Sequence, residues 1–388
     1  MNQSDNGRPL AVAVLVLTAI KLVLNTGFRF VYPFLPAIGR GLEVDLALMG
    51  VLLSIRWGMG FTVPFAVGAV DRASASRRLL IAGLISFGVG AIVTAVAGVF
   101  VGAVVGFALM GLGKPVFDVG SQTYVSERVP YSKRARSLGI LELSWAGGFL
   151  VGAPVAGWLI DRWSWSAPFW VFGTLSIFAL GLVFLVMAPT DEHPDRTPKG
   201  EDYGLRIIGP FLASVVIAGF TLEMVFVVMG AWLEGSFGLS LFALAGVGAL
   251  LGVAELGGEG LMVAFTDRVG KRNSFALGLG ATALALLLLS LLNQELLPGL
   301  VALFVAILFL ELSVISGIPL ATELRPSSRS RFLGWTLVAA GVGRIVADLI
   351  GPSIFEAAGM GAVSGVAAAS AVAGVLVLLT LVREPTRE

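Results

Sequence analysis

Long apolar runs, separated by short polar segments, make up most of this chain. Each run approaches the roughly 20 residues that a helix needs to cross a bilayer. The runs are continuous, whereas strands of a membrane barrel alternate apolar and polar residues over about ten positions. We therefore predict an all-α membrane protein with twelve spans, at 10–36, 46–70, 78–98, 101–125, 137–160, 166–188, 206–232, 240–265, 273–293, 298–320, 332–356 and 362–382.

Composition strengthens the membrane interpretation. Of the 388 residues, 57% are hydrophobic and 13% are charged, against roughly 25% charged residues in soluble proteins. A mean hydropathy of +0.93 leaves too little polar surface to cover a soluble globule of this size. The first apolar run follows a polar start and has full span length, so we expect no cleaved signal peptide.

The residue types present also limit the kinds of catalytic and metal-binding sites that the chain could form. The chain has no cysteine, and His193 is its one histidine, which disfavours thiolate nucleophiles, histidine catalysis and multi-histidine metal sites. The sequence contains no Gly-x-x-x-x-Gly-Lys-Ser/Thr motif for ATP, and a net charge of +1 gives no support for nucleic-acid binding. We expect no enzymatic activity, no cofactor and no metal, and any proton transfer must use carboxylates.

Basic residues are unequally distributed between the two sides of the predicted bundle. With both termini in the cytoplasm, 19 of the 26 Lys and Arg residues lie on the cytoplasmic side, and two, Arg40 and Arg162, lie on the other. The remaining five fall inside spans. Because cytoplasmic loops are enriched in Lys and Arg, we predict a multi-pass protein of the cell membrane with both ends inside.

A polar segment divides the chain into two similar parts. Residues 189–205 are rich in charge and proline and are typical of a solvated linker, which gives six-helix halves at 1–188 and 206–388. Glu127-x-x-Pro-x-Ser-Lys in the first half parallels Glu323-x-x-Pro-x-Ser-Arg in the second, at an offset of 196 residues. The repeat predicts two halves related by pseudo-twofold symmetry.

The loops after spans 2 and 8 share a charged pair at the same offset. Asp71-Arg72 occupies the first loop, and Asp267-Arg268-Val-Gly-Lys-Arg occupies the second. The second sequence resembles the Gly-x-x-x-Asp-Arg/Lys-x-Gly-Arg/Lys-Arg/Lys motif of the major facilitator superfamily; the first lacks the later glycine. The resemblance implies that family's fold around a central cavity, and a gating role for these four residues on the cytoplasmic face. Simple anchoring by positive charge is the alternative.

Span 5 carries a second motif of this kind. Gly148-Phe-Leu-Val-Gly152-Ala-Pro154-Val-Ala-Gly157 is similar to the Gly-x-x-x-Gly-Pro-x-x-Gly signature of antiporters in the family, apart from one inserted alanine. Small residues at this spacing allow close helix approach, and proline bends the helix. The resemblance implies export by exchange, with ordinary small-residue packing as the alternative.

Twelve charged residues fall inside the predicted spans, where each costs at least about 2.5–3.5 kcal/mol if it faces lipid. Basic residues dominate in the first half and acidic residues in the second, which suggests a basic wall opposite an acidic one. The twelve are Lys21, Arg29, Arg56, Lys114, Asp118, Glu142, Glu223, Glu255, Glu259, Glu311, Arg344 and Asp348.

Spacing along the helices predicts two ion pairs. Lys114 and Asp118 are four residues apart, as are Arg344 and Asp348, so each pair shares a helix face. Both pairs are open to a structural or a substrate-binding role.

Position and charge assign candidate roles to these residues. Substrate contacts are predicted for Arg29, Arg56, Lys114, Asp118, Trp145 and Arg344. Proton exchange is predicted for Glu142, Glu223, Glu255, Glu259 and Glu311. Glu255 and Glu259 lie one turn apart with like charge, which disfavours joint ionisation and makes them a candidate proton store. The resemblance implies that spans 1, 4, 7 and 10 line the cavity, which favours Lys114, Asp118, Glu223 and Glu311.

Three functions remain open at this point. The leading hypothesis is proton-coupled efflux of a small amphiphilic or drug-like compound by alternating access, by a protein that works as a monomer in the bilayer. The second is transport of an anionic metabolite or anionic lipid against the basic wall of the first half. The third is a non-transporting membrane receptor or scaffold with the same fold.

Overall fold

The computed structural model describes residues 7–62, 75–129, 131–187, 204–325 and 329–382, and this part of the chain is helical throughout, without strands. Continuous apolar runs form helices because helices satisfy their own backbone hydrogen bonds in lipid. The first half contains Gly7–Arg29, Leu35–Leu42, Leu46–Met59, Ala75–Ala97, Phe100–Arg128, Tyr131–Glu142, Ser144–Leu150, Gly152–Arg162 and Ala167–Val186. The second half contains Leu205–Phe237, Leu241–Val269, Lys271–Leu292, Leu296–Leu324 and Arg329–Leu381.

These helices make twelve spans. Ten are long and apolar enough to cross a membrane by themselves, and Leu46–Thr62 is a shorter apolar helix that forms span 2. The long helix Arg329–Leu381 contains both span 11 and span 12, because Gly359 interrupts it at φ 72° and ψ −173°. Glycine adopts this backbone conformation far more readily than residues with a side chain. The predicted all-α fold with twelve spans is confirmed.

Two spans are less regular than predicted. Span 1 was expected as one helix over 10–36, but it turns after Arg29 and resumes at Leu35–Leu42. Span 5 consists of three consecutive segments, with breaks at Leu143 and Val151. Pro154 has no N–H for the carbonyl four residues earlier, so the helix loses a hydrogen bond beside the second break.

The two halves repeat the same internal packing. A Cβ on Gly83 would lie 2.6 Å from the Phe117 nitrogen, where spans 3 and 4 touch, and a Cβ on Gly278 would lie 2.7 Å from the Phe309 carbonyl, where spans 9 and 10 touch. Helix backbones approach this closely only where the interface lacks side chains. The division of the chain at 189–205 stays a prediction, because 188–203 lie outside the described residues.

The repeated loops are also structurally equivalent. Ser76, at the start of span 3, donates a 2.8 Å hydrogen bond to Glu127 at the end of span 4. Lys271, at the start of span 9, forms an ion pair with Glu323 at the end of span 10. The two glutamates of the 196-residue repeat therefore tie the same helix ends together.

We name the two ends of the bundle by its topology. The terminal face is the end at which span 1 begins and span 12 ends, and the far face is the opposite end. At the far face the halves are in contact, and Arg40 of span 1 forms a 2.8 Å ion pair with Glu234 of span 7. Large apolar side chains such as Leu185, Phe242 and Val263 are exposed on the outside of the bundle, as expected for surfaces that face lipid.

Candidate substrate and proton site

Charged side chains from spans 1, 4 and 5 meet at middle depth in the first half. Lys21 donates a 2.7 Å hydrogen bond to Glu142 and lies 3.9 Å from the Asp118 carboxylate. Lys114 forms an ion pair with Asp118 one turn away on span 4. Gln122 donates a 3.2 Å hydrogen bond to Glu142. We call these five residues the Lys21 cluster.

Within the Lys21 cluster the basic side chains are more deeply buried than the acidic ones. The side chains of Lys21 and Lys114 are buried, whereas that of Glu142 is 45% exposed and that of Asp118 is 24% exposed. The Lys114 ammonium lies 5.7 Å from the centre of the partly exposed Trp145 ring. The accessible part of the cluster is therefore acidic and adjoins an aromatic surface, a combination that suits an apolar cation.

A buried ion pair joins the two halves just beside this cluster. Arg29 of span 1 binds both carboxylate oxygens of Glu255 of span 8, one of them at 2.8 Å. The same guanidinium donates a 2.7 Å hydrogen bond to the Trp145 carbonyl, and it lies 3.8 Å from the centre of the Phe149 ring. A bidentate ion pair between two buried side chains fixes their relative position and orientation. The structure thus brings a basic residue of the first half onto an acidic residue of the second, as the unequal charge distribution predicts.

Two further carboxylates surround the pair of Arg29 and Glu255. Glu259 lies one turn from Glu255 towards the terminal face and is partly exposed. Glu311 of span 10 is buried, interacts electrostatically with Glu255 and Arg29, and has no hydrogen bond or ion pair with any described side chain. Three acidic groups therefore surround one guanidinium.

A second cluster lies where spans 1 and 2 of the first half meet spans 7 and 11 of the second. Tyr32 donates a 2.5 Å hydrogen bond to one oxygen of Glu223, and the Trp57 indole donates to the same oxygen at 3.2 Å. Arg344 donates to the other oxygen at 3.1 Å and stacks over the Trp57 ring. Glu223 is fully buried, and both of its carboxylate oxygens accept hydrogen bonds.

Arg56 completes the second cluster. Its guanidinium donates a 3.0 Å hydrogen bond to the Tyr32 hydroxyl and another to the Phe28 carbonyl, and it lies 4.0 Å from the centre of the Phe28 ring. Its Nε is buried and has no hydrogen-bond partner among the described residues. We call the whole set the Glu223 cluster; its members are Tyr32, Arg56, Trp57, Glu223, Arg344 and Asp348.

Only one of the two predicted intrahelical ion pairs forms. Lys114 and Asp118 pair as the spacing predicts. The prediction for Arg344 and Asp348 is wrong, because Arg344 turns to Glu223 of span 7 instead. Glu223 accepts two further donors from the first half, so the guanidinium at this position bridges helices rather than turns of one helix.

The small residues of span 5 pack against different neighbours along its length. Gly148 lies against Asn25 and Gly152 against Thr26, both on span 1, while Pro154 is exposed. Towards the far face, a Cβ on Gly157 would lie 2.7 Å from that of Ala245 on span 8 of the other half. It would also lie 2.9 Å from the Phe34 ring. Gly157 is therefore one member of this motif at a contact between the halves, and Ala153, which faces Gly248 of span 8, is another.

We expect Gly157→Val to disfavour the far-face contact, because the added methyl groups overlap Ala245 and Phe34. Spin labels on the far ends of the two halves should report a longer mean distance than in the parent protein. Gly181→Val is the matched control, since a Cβ at Gly181 has no neighbour within 4 Å. Equal distances in both variants would contradict this role for Gly157.

Only two of the four residues predicted to form a gate lie in the described part of the chain. Asp71 and Arg72 lie outside the described residues. Asp267 and Arg268 are exposed at the terminal end of span 8. The bridging contact in this loop comes from Lys271, through its ion pair with Glu323, and Arg272 donates a 3.0 Å hydrogen bond to the Val382 carbonyl. The gating role stays a prediction.

Sequence reasoning missed several members of the two clusters. Tyr32, Trp57 and Gln122 are uncharged, so the search for charges within spans passed over them, although each supplies a donor to a carboxylate. A search for polar hydrogen-bond donors inside apolar runs would have found all three. Among the described residues no group of three or more His, Cys, Asp or Glu side chains is arranged so that it could hold a metal ion.

Known proteins resemble this chain in sequence over part of its length. The profile of the Major Facilitator Superfamily matches residues 17–258. An uncharacterised MFS-type transporter, YwfA, of Bacillus subtilis is 29% identical over 165 residues, which is 42% of this chain and 40% of that protein. A cis,cis-muconate transport protein of Acinetobacter baylyi is 27% identical over 204 residues, which is 48% of this chain and 49% of that protein. The chain thus spans less than half the length of these relatives.

Solved structures resemble it over nearly its whole length. A bacterial homologue of the human lysosomal transporter Spinster, in an inward-facing and unoccupied conformation, superposes with a TM-score of 0.74 at 15% identity, covering 98% of this chain and 96% of that one. A D-xylose–proton symporter gives 0.77 at 14% identity, covering 96% and 97%. At these identities the likeness is one of fold.

Proposed function

The chain belongs to the major facilitator superfamily, and we propose that it is a secondary active transporter that exports a small cationic amphiphile in exchange for protons. The observation that carries the proposal is the arrangement of the Lys21 cluster. Its accessible charged groups are carboxylates near an indole ring, whereas its ammonium groups are buried. A positive charge is stabilised by the carboxylates and an apolar body by the aromatic surface.

Access to the site supports an alternating mechanism. The exposed members, Glu142 and Gln122, lie on the terminal side of the cluster along their helices, and contacts between the halves lie towards the far face. The substrate enters from the terminal face in this conformation and leaves at the far face when the contacts there separate. The excess of basic residues makes the terminal face cytoplasmic, so this direction is efflux from a monomer in the cell membrane.

Proton coupling follows from the acidic groups around Arg29. With Glu311 ionised, three carboxylates face one guanidinium and the site carries excess negative charge, which attracts a cation. With Glu311 protonated, that excess falls and the cation is released. Glu255 is held by Arg29, Glu223 by three donors, and Glu142 by Lys21 and Gln122. Of the two remaining carboxylates, Glu259 is partly exposed and Glu311 is buried, and we assign the coupling proton to Glu311. Because a proton on Glu311 and a bound cation disfavour each other, binding of one releases the other, which produces exchange.

Glu142→Gln is expected to weaken binding of a lipophilic cation such as tetraphenylphosphonium by about tenfold, which corresponds to ~1.4 kcal/mol. The change removes the most exposed negative charge of the Lys21 cluster and retains the hydrogen-bonding shape. Equilibrium binding to the purified protein measures it. Glu356→Gln, at an exposed position far from the cluster, should bind the cation as the parent does; equal affinities in all three proteins would exclude the proposed site.

An organic anion is the second candidate substrate. The similarity to a cis,cis-muconate transport protein favours it, as do five basic residues within the spans. In the described structure these basic groups are buried and lie beside acidic or carbonyl oxygens, which makes them less accessible than the carboxylates. Proton release from purified protein separates the candidates: release on adding a cation supports the first, and uptake or release on adding muconate supports the second. A response to neither supports a receptor or scaffold.

A further inference from the structure

The proposed mechanism assigns no role to Asp348, a buried acidic residue of span 11. It is fully buried. Neither of its carboxylate oxygens has a hydrogen-bond donor among the described residues. An ionised carboxylate in a dry interior is costly without donors, so their absence disfavours the ionised form of Asp348.

Polar or charged groups from four spans lie around Asp348, and none of them donates a hydrogen bond to it. Span 1 presents Tyr32, which donates to Glu223. Span 2 presents Arg56, which donates to Tyr32 and to a backbone carbonyl. On span 11 itself, Arg344 donates to Glu223. Span 7 contributes Glu223, whose carboxylate interacts electrostatically with that of Asp348.

We propose that Asp348 binds a proton in this conformation, donates it in a hydrogen bond to Glu223, and thereby holds the far face closed. The proposal rests on the proposed proton-coupled transport and adds a second proton site, apart from Glu311. A neutral Asp348 removes the conflict between adjacent carboxylates. The hydrogen bond itself then adds a link between spans 7 and 11, beside the contacts that Tyr32 and Trp57 make across the halves.

The surrounding packing couples this proton to the contact between the halves. Gly50 of span 2 packs directly against the backbone carbonyl of Asp348, and a Cβ there would also lie 3.1 Å from Pro352. Separation of spans 2 and 11 would therefore remove packing that lies directly against Asp348. Loss of the proton leaves two adjacent carboxylates and frees Asp348 to pair with the unsatisfied Nε of Arg56. Protonation favours the closed far face, and deprotonation favours the open one.

Spin labels at the far face test the proposal. Because the chain has no cysteine, Ser164→Cys and Gln294→Cys place one label on an exposed site of each half. In lipid nanodiscs, the distance between the labels in the otherwise unchanged protein should lengthen as the pH rises from about 5 to 9. Asp348→Asn, which mimics the protonated acid, should keep the short distance throughout this range.

Asp45→Asn is the control for the spin-label experiment. Asp45 caps span 2 at the far face, and asparagine caps equally well, so this variant should keep the pH response. Asp348→Glu, which retains a carboxyl group, should restore a response that the asparagine removes. A pH-independent distance in the labelled parent overturns the proposal, and so does a normal pH response in Asp348→Asn. A distance that follows sodium concentration at fixed pH also overturns it.

A separate measurement distinguishes this inference from the proposed function. Cation-induced proton release reports the exchange assigned to Glu311, whereas the label distance reports Asp348. Glu311→Gln should lose the first and keep the second. Another outcome is a parent that shows no cation-induced proton release while its label distance still responds to pH through Asp348. That result would refute the proposed transport but support the role of Asp348 in closing the far face.

Discussion

Glu311→Gln is expected to abolish the proton release that a cationic substrate triggers. Glutamine has the size of protonated glutamic acid but cannot ionise. The site of the variant therefore keeps its less negative charge at every pH. The buried position is retained, and the native side chain has no hydrogen bond or ion pair with any described side chain. We therefore expect the variant to fold normally and to differ in coupling.

The pH dependence of cation binding tests the role of Glu311 more stringently than proton release does. If one proton competes with one cation, the parent's apparent affinity should weaken by about tenfold for each unit that the pH falls below the titration of the site. In Glu311→Gln the affinity should stay at the low value that the parent reaches in acid, at every pH. Binding curves for a lipophilic cation across the pH range give both results.

Glu295→Gln provides the matched control for Glu311→Gln. Glu295 lies at the start of the same span but is exposed at the far face, so its neutralisation should leave both proton release and the pH dependence of binding intact. Unchanged coupling in Glu311→Gln would refute the assignment of the coupling proton. In that case Glu255 and Glu259 are the remaining candidates near Arg29.

Glu255→Gln is expected to lower the free energy of unfolding by about 3–5 kcal/mol, the usual cost of removing one partner of a buried ion pair. Glutamine removes the carboxylate that forms the direct ion pair with Arg29. The Trp145 carbonyl and the neighbouring rings remain in contact with the guanidinium, and Glu259 and Glu311 form no ion pair with it among the described contacts. Replacing both partners, with Arg29→Met and Glu255→Leu, should recover much of the loss because no uncompensated charge is left. Denaturant unfolding of the purified protein measures the difference.

The exposed ion pair of Arg40 and Glu234 supplies the comparison. It also joins the halves, at 2.8 Å, but Arg40 is 62% exposed. Glu234→Gln should therefore cost no more than about 1 kcal/mol. A similar loss in Glu234→Gln and Glu255→Gln would show that burial does not set the strength of these contacts.

Sequence patterns predicted some parts of the site well and others poorly. The pair of Lys114 and Asp118 was predicted because four residues make one helical turn, so the partners lie together whatever the rotation of the helix. The pair of Arg344 and Asp348 met the same condition but does not form, because Glu223 of another helix is available to Arg344. Local spacing shows which partners are within reach, but not which of several reachable partners is bound.

The sequence by itself determined the all-α fold, the twelve spans and the presence of an internal repeat. These features depend on the length of apolar runs and on loop motifs, and both are properties of neighbouring residues along the chain. Even the division of spans 11 and 12 follows from the local backbone freedom of Gly359.

Only the tertiary structure decided how the buried charges are grouped. Arg29 meets Glu255 across 226 residues of sequence, and Tyr32 meets Glu223 across 191, so helix rotation and the packing of the halves set these contacts. The charged residues inside the spans thus include accessible carboxylates, buried bridges and two buried acids, Glu311 and Asp348, that accept no hydrogen bond from a described residue. Because the energy of a charge inside the membrane depends on its nearest donors and counter-charges, that distinction requires the three-dimensional arrangement.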